Sequence, residues 1–209
     1  MAKYGLLVNV DACIGCHACF VACKEENQVA PGIAWNRIDR VEDRKAMRIN
    51  YFRKSCQHCE NPACLAVCPT KAVYKGKFGE VLVDQEKCIG CQRCLAACPY
   101  GAPQFNTKGV TSYWPDKEPL VERVFEAYQT RTPGKAEHCT LCSHRLKEGR
   151  KPACVEHCPT GALKLVDLEK PEERKAWEAA QKMTEKAGTE PKVRYRSSGV
   201  DFTKVDLKA

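Results

Sequence analysis

Apolar and polar positions alternate in only a few short stretches of this chain. Residues 6–11 and 80–84 read as short strands, each leading directly into a cysteine-bearing loop. Residues 19–27 and 95–99 read as short helical turns that follow the third cysteine of such a loop. An amphipathic spacing over 120–129 predicts a further helix. Pro171 opens another that runs to Met183 and carries Glu172, Glu173, Arg174, Lys175 and Trp177. The apolar runs, such as 5–8 and 81–83, are far too short to cross a bilayer.

The elements are small for a chain of 209 residues, and the cysteines explain why: there are 16 of them. They fall into four groups of four. Cys13, Cys16, Cys19 and Cys23 are spaced C-x2-C-x2-C-x3-C. Cys56, Cys59, Cys64 and Cys68 are spaced C-x2-C-x4-C-x3-C-P. Cys88, Cys91, Cys94 and Cys98 repeat the first spacing and end in C-P. Cys139, Cys142, Cys154 and Cys158 are spaced C-x2-C-x11-C-x3-C-P. Cys13-Ile14-Gly15-Cys16 returns as Cys88-Ile89-Gly90-Cys91. Pro62-Ala63-Cys64 with Cys68-Pro69-Thr70 returns as Pro152-Ala153-Cys154 with Cys158-Pro159-Thr160. The chain reads as a duplication. Pro69, Pro99 and Pro159 redirect the backbone after a fourth cysteine, because proline fixes φ and lacks the N–H.

This spacing points to iron–sulfur cubanes. A C-x2-C-x2-C loop wraps three thiolates around one cluster. The fourth cysteine points away and, in two-cluster ferredoxins, binds the other cluster. Four complete motifs then account for four [4Fe–4S] clusters with no thiol left over. Structural zinc would explain Cys56 with Cys59, or Cys139 with Cys142, but not the three-cysteine loops followed by C-P. A disulfide framework would need an oxidising compartment. His17, His58 and His138 stand beside ligand cysteines, yet no cysteine is missing for a Rieske-type site, so they read as surface groups or as neighbours of ligands. Lys24, Arg53, Lys54 and Arg93 also flank cysteines, as charges that either tune a potential or keep the surface soluble.

The formal charge of +8 does not require nucleic acid. Each oxidised cubane with its thiolates carries roughly −2, so four would cancel most of the excess. No nucleophile–base pair, glycine-rich phosphate loop or substrate-pocket signature is present. The chain is therefore expected to be non-catalytic by itself. Its N-terminus lacks the pattern of a secretory leader or a twin-arginine stretch. The expectation is that something other than this N-terminus carries any export.

Pairing of the motifs is open from spacing alone. Motifs two and three are separated by a short stretch, 69–87, as in bacterial two-cluster ferredoxins. That nested scheme puts Cys56, Cys59, Cys64 and Cys98 on one cluster and Cys68, Cys88, Cys91 and Cys94 on the next. Motifs one and four then close outside it, with Cys13, Cys16, Cys19 and Cys158 on one cluster and Cys23, Cys139, Cys142 and Cys154 on the other. The rival pairs one with two and three with four.

The four motifs, in this order, resemble the four-cluster iron–sulfur subunit of dimethyl sulfoxide reductase-type molybdenum enzymes. The resemblance covers roughly 4–168 and 191–195. Its marks include Cys23-Lys24-Glu25-Glu26-Asn27, Cys56-Gln57-His58-Cys59-Glu60-Asn61-Pro62, Cys98-Pro99-Tyr100-Gly101-Ala102 and Lys151-Pro152-Ala153-Cys154. It implies an α+β fold of two ferredoxin-like 2[4Fe–4S] modules related by pseudo-two-fold symmetry, and it favours the nested pairing. The outer module would be 1–55 with 104–168, including an insert at 104–137. The inner module would be 56–103, and 169–209 a C-terminal helix and tail contacting a partner. The implied partner is a large molybdopterin subunit holding molybdenum or tungsten. Electrons would pass between it and a membrane anchor or soluble carrier, and the resemblance favours co-export to the periplasm with a signal-bearing partner over a cytoplasmic place. The residues themselves offer no transmembrane segment and no nucleic-acid signature. The alternative is a stand-alone polyferredoxin, or one linked to a hydrogenase or formate dehydrogenase.

Overall fold

The computed structural model describes residues 3–43, 47–107, 132–183, 188–202 and 204–205. The helix expected over 120–129 lies outside them.

Strand β1, Tyr4–Asn9, organises the first half of the architecture. It pairs antiparallel with β8, Leu163–Asp167, and parallel with β9, Val193–Arg196, giving the order β8-β1-β9. Leu6 and Val8 enter the main core. Leu7 packs on the opposite side with Val166 and Trp177. Both faces of β1 are therefore covered, which explains its nearly continuous apolar run. A 3-10 turn at Val10–Ala12 delivers the chain from β1 into the Cys13 loop. At the other end, β8 begins just after the Cys158-Pro159-Thr160 turn. Pairing β1 with β8 thus brings the first and fourth cysteine motifs together.

The middle of the chain uses a second hairpin. Strand β4, Val73–Lys75, follows the second motif, and β5, Val81–Val83, precedes the third; they pair antiparallel. Each motif also carries a short helix. Helix α1, Ala18–Glu26, packs on α5, Ala153–Glu156, and α2, Ala63–Ala66, packs on α3, Arg93–Ala97. Helix α4, Ser143–Lys147, lies inside the long fourth motif. Glu80 links the two regions. Its buried carboxylate accepts from Phe78 N–H at 2.8 Å and from the Ser143 hydroxyl at 2.6 Å.

Sequence pattern missed the longest pairing. Strands β2, Asn36–Asp43, and β3, Arg48–Ser55, form an antiparallel hairpin between the first and second motifs. Strand β6, Gln104–Phe105, pairs antiparallel with β7, Ala136–Glu137, which brings the two ends of segment 104–137 together.

The C-terminal segment departs from expectation. Helix α6 begins at Pro171 but ends at Glu178, short of Met183. Beyond it the backbone of Gln181 exchanges hydrogen bonds with Tyr195 at 2.9 and 2.7 Å, and Met183 is buried in the core. Val193, Tyr195, Val200 and Phe202 are buried there as well. The segment expected to contact a partner thus also supplies side chains to the chain's own core, where β9 pairs along β1. No helix among the described residues is long and apolar enough to cross a membrane. Short helices with antiparallel hairpins make the fold α+β, as anticipated.

Candidate metal centres

All 16 cysteines lie within the described residues, and none is in a disulfide. Their placement follows from the strand and helix pairings. Cys23 leaves α1 into the core, where Cys139, Cys142 and Cys154 meet it around one cavity lined also by Asn27, Trp35, Arg53, Leu141 and Pro152. Cys158 sits close enough to Cys13 and Cys19 for their charges to interact. Cys64 has Cys98, Cys59 and Cys94 as its charged neighbours, and Cys56 has Cys64 and Cys59. Cys94 faces Cys88 and Cys91, and Cys68 packs against the small core that holds Cys88 and Cys94. Cys16 and Cys91, the second cysteines of motifs one and three, are exposed.

The thiols titrate in two ways. Burial, then repulsion from Cys139, Cys154 and Cys142, pushes the Cys23 thiol well above its ordinary range. Burial also raises Cys142 and Cys64 to about 12, with neighbouring cysteines adding to it. Cys68 and Cys158 behave differently. Burial raises each, but hydrogen bonds outweigh it and bring both below the ordinary thiol range. Donors to Cys68 come from the Val73, Ala72 and Thr70 backbone and the Thr70 hydroxyl. Those to Cys158 come from Leu163, Ala162 and Thr160 in the same pattern. The repeated Cys-Pro-Thr turn therefore builds two matching thiolate cradles.

These donors suit an iron–sulfur cluster. Buried thiols within reach of one another cannot ionise together without positive charge between them, and metal binding supplies it by displacing the protons. Among the described residues, no three His, Cys, Asp or Glu side chains are gathered as a single metal ion requires. The sulfurs around Cys23 instead frame a volume. Backbone N–H groups point at sulfur from His58 to Cys56 at 3.5 Å, from Leu141 to Cys139 at 3.4 Å and from Ala136 to Cys88 at 3.5 Å. Such bonds favour the thiolate and tune a cluster.

The structure sorts the flanking groups that sequence left undecided. Arg93 is exposed. Lys24 donates to the carbonyl of Ala30 at 2.8 Å. Lys54 pairs with Asp39 at 3.6 Å. Arg53 is buried, with Nη2 3.7 Å from Cys139 Sγ. His17 is exposed, whereas His58 and His138 are buried with ring centroids 6.4 Å apart. Val81 N–H donates to His58 Nδ1 at 3.1 Å, and burial drives His58 well below its usual pKa, so its ring is neutral.

Asn27 was not anticipated. At the C-terminus of α1, its Nδ2 donates to Cys23 O at 3.1 Å and reaches Cys23 Sγ at 3.8 Å and Cys142 Sγ at 3.7 Å. The signals available were its place in the Cys23-Lys24-Glu25-Glu26-Asn27 mark, which carried no role for it, and its position four residues, one helical turn, after Cys23.

Known proteins similar to this chain are iron–sulfur proteins. A 4Fe-4S dicluster domain model matches residues 47–113 and 125–168, and a second 4Fe-4S dicluster domain model matches 12–72. The chain is 39% identical over 184 residues to the putative dimethyl sulfoxide reductase iron–sulfur subunit of Halobacterium salinarum, covering 81% of this chain and 68% of that one. Identity to the arsenate respiratory reductase iron–sulfur subunit of a Shewanella species is 33% over 229 residues, covering 95% and 98%. Identity to a polysulfide reductase chain of Wolinella succinogenes is 36% over 200 residues, covering 91% and 92%.

Proposed function

The chain belongs to the family of 4Fe-4S iron–sulfur subunits of dimethyl sulfoxide reductase type, and on that premise we propose how its cysteines are used and what it serves. It is an electron-transfer subunit of an oxidoreductase. The proposal is four [4Fe–4S] clusters. Cys13, Cys16, Cys19 and Cys158 hold the first, and Cys23, Cys139, Cys142 and Cys154 the second. Cys56, Cys59, Cys64 and Cys98 hold the third, and Cys68, Cys88, Cys91 and Cys94 the fourth.

When bound, the clusters supply one-electron carriers over a wide range of potentials. The residues of the chain do the rest. Asn27, Arg53 and the N–H groups of His58, Leu141 and Ala136 stabilise sulfur charge. Trp35, Leu141 and Pro152 line the cavity beside Cys139 and exclude water from it. Cys23, Cys68, Cys98 and Cys158 tie distant motifs together. In this reading 1–55 with 104–168 forms an outer module and 56–103 an inner one, related by a pseudo-two-fold axis, with 169–209 as a C-terminal segment.

The observation that carries the reading is the cavity where Cys23 meets Cys139, Cys142 and Cys154. Its lining joins a first-motif cysteine to three from the fourth motif, which the nested pairing requires. The proposed partner is a large catalytic subunit with a molybdenum or tungsten bis-pterin cofactor, the electrons passing on to a membrane anchor or soluble carrier.

Two measurements test this. Metal analysis is expected to give about sixteen iron and about sixteen acid-labile sulfide per chain, four of each per cubane. Stoichiometric zinc without sulfide would overturn the cluster reading. Purification from the source is expected to bring down a large molybdenum- or tungsten-containing chain. A fully loaded chain with no such companion would leave a stand-alone carrier as the function.

A further inference from the structure

Four cationic side chains are buried among the described residues: Arg53, Lys54, Arg145 and Lys192. Three of them have carboxylates. Lys54 Nζ lies 3.6 Å from Asp39, Arg145 Nη1 2.6 Å from Glu26, and Lys192 Nζ 2.7 Å from Glu60. Arg53 has no carboxylate partner among the described residues. It is 1% exposed and sits on β3. Nη1 donates to the Ser55 hydroxyl at 2.6 Å, Nη2 faces Cys139 Sγ at 3.7 Å, and Nε has no hydrogen-bond partner among the described residues.

A buried guanidinium without a counter-charge is strongly destabilising. The groups facing Arg53 show where the counter-charge lies. Its Nη2 is 3.7 Å from Cys139 Sγ, it lines one cavity with Cys23, Cys139 and Cys154, and Cys19 lies within electrostatic reach of it. Cys19 belongs to the proposed first set of ligands; Cys23, Cys139 and Cys154 belong to the second. Arg53 also lines the second set's cavity.

We propose that Arg53 is a positioning residue set between the two clusters of the outer module, where its fixed charge raises the reduction potential of both, the second more than the first. This rests on the cluster assignment given above. Each cluster gains negative charge when it accepts an electron. A nearby fixed cation therefore stabilises the reduced form more than the oxidised one. Water exclusion strengthens the effect, since the interaction scales inversely with the effective dielectric. Arginine suits the role because its guanidinium keeps its proton where a buried lysine can lose one. Its place is fixed by β3, whose Arg53 carbonyl accepts from the Tyr195 hydroxyl at 3.4 Å.

Potentiometric EPR of the intact protein decides it, on wild type, Arg53→Gln and Arg53→Lys, each with iron and sulfide analysis. For loaded Arg53→Gln, two of the four midpoint potentials are expected to fall. The larger fall changes the reduced-to-oxidised ratio at fixed potential about tenfold, which is 59 mV for a one-electron couple. The other two potentials stay in place, and Arg53→Lys shows a smaller shift in the same two. Four unmoved potentials, or four moved alike, overturn the proposal. Where Arg53→Gln loses clusters, loaded Arg53→Lys with potentials near wild type supports it. Equal loss in both variants overturns it, since charge then is not what matters. Wild-type protein without labile sulfide overturns the cluster reading itself.

Discussion

Asn27 and Cys142 meet across 115 positions of sequence, with the asparagine Nδ2 3.7 Å from the cysteine sulfur. The same amide donates to the carbonyl of Cys23 at 3.1 Å, so one side chain ties the end of α1 to the fourth motif. Asn27→Ala removes a buried side-chain donor, while Cys23 O keeps the backbone N–H of residue 27 at 3.1 Å and Cys142 keeps a backbone donor from Ala153. The expected cost is about 0.5–1.5 kcal/mol of stability. The expected spectroscopic change is confined to the centre formed by Cys23, Cys139, Cys142 and Cys154. EPR of the reduced protein, with thermal bleaching of the cluster absorbance, checks both; a change spread over all the centres would show that Asn27 acts on the fold at large.

Much of this site was readable because cysteine spacing is a strong local code. It marked the loops, the short helices after them and the turns at Pro69, Pro99 and Pro159. The β2–β3 hairpin was not readable, for a physical reason. Strand β3 turns Arg53, Lys54 and Ser55 inward with Phe52, so its buried residues look polar in sequence. Those groups are compensated by partners distant in the chain: Asp39 for Lys54 and the cysteine sulfurs for Arg53. The packing of the tail was not readable either: only the parallel pairing of β9 with β1 shows that its apolar residues enter the chain's own core.

The crossover cysteines give a matching test. Cys158 lies within electrostatic reach of Cys13 and Cys19, and its sulfur sits 3.8 Å from the Thr160 hydroxyl. Cys158→Ser is expected to abolish the same EPR signal as Cys13→Ser. By the same reasoning, Cys23→Ser is expected to abolish the signal lost in Cys139→Ser. Should Cys158→Ser instead match Cys139→Ser, the nested pairing would be wrong.

Glycine in the Cys-Ile-Gly-Cys repeat is fixed by backbone conformation and by space. Gly90 has φ +72°, and a Cβ there would press on the backbone carbonyl of Gly134. Gly15 has φ +70°, but a Cβ there would meet the Tyr51 ring at 2.8 Å, and that ring is only partly buried and can shift. Both alanine variants carry the strain of a left-handed backbone, about 1–3 kcal/mol. Gly90→Ala is expected to be the worse of the two, because a backbone carbonyl cannot move aside as a side chain can. Rates of iron release at fixed temperature, compared between the two variants, check the order.

Phe202 separates an internal role of the tail from an external one. It is wholly buried, stacked on Tyr195 with ring centroids 4.4 Å apart and set edge-on to Phe52 at 5.0 Å. Phe52 precedes Arg53 on β3, so this aromatic group braces the strand beneath the proposed outer clusters. Phe202→Ala opens a cavity in that brace, at an expected cost of about 3–5 kcal/mol. Loss of native structure here would be accompanied by loss of metal, so the measurement is a rate of cluster bleaching rather than an equilibrium midpoint. Phe202 is buried in this chain's own core. The acceleration of bleaching is therefore expected with or without a partner bound. A tail that served docking would behave oppositely: Phe202→Ala would leave bleaching of the separate chain unchanged and would weaken only its association.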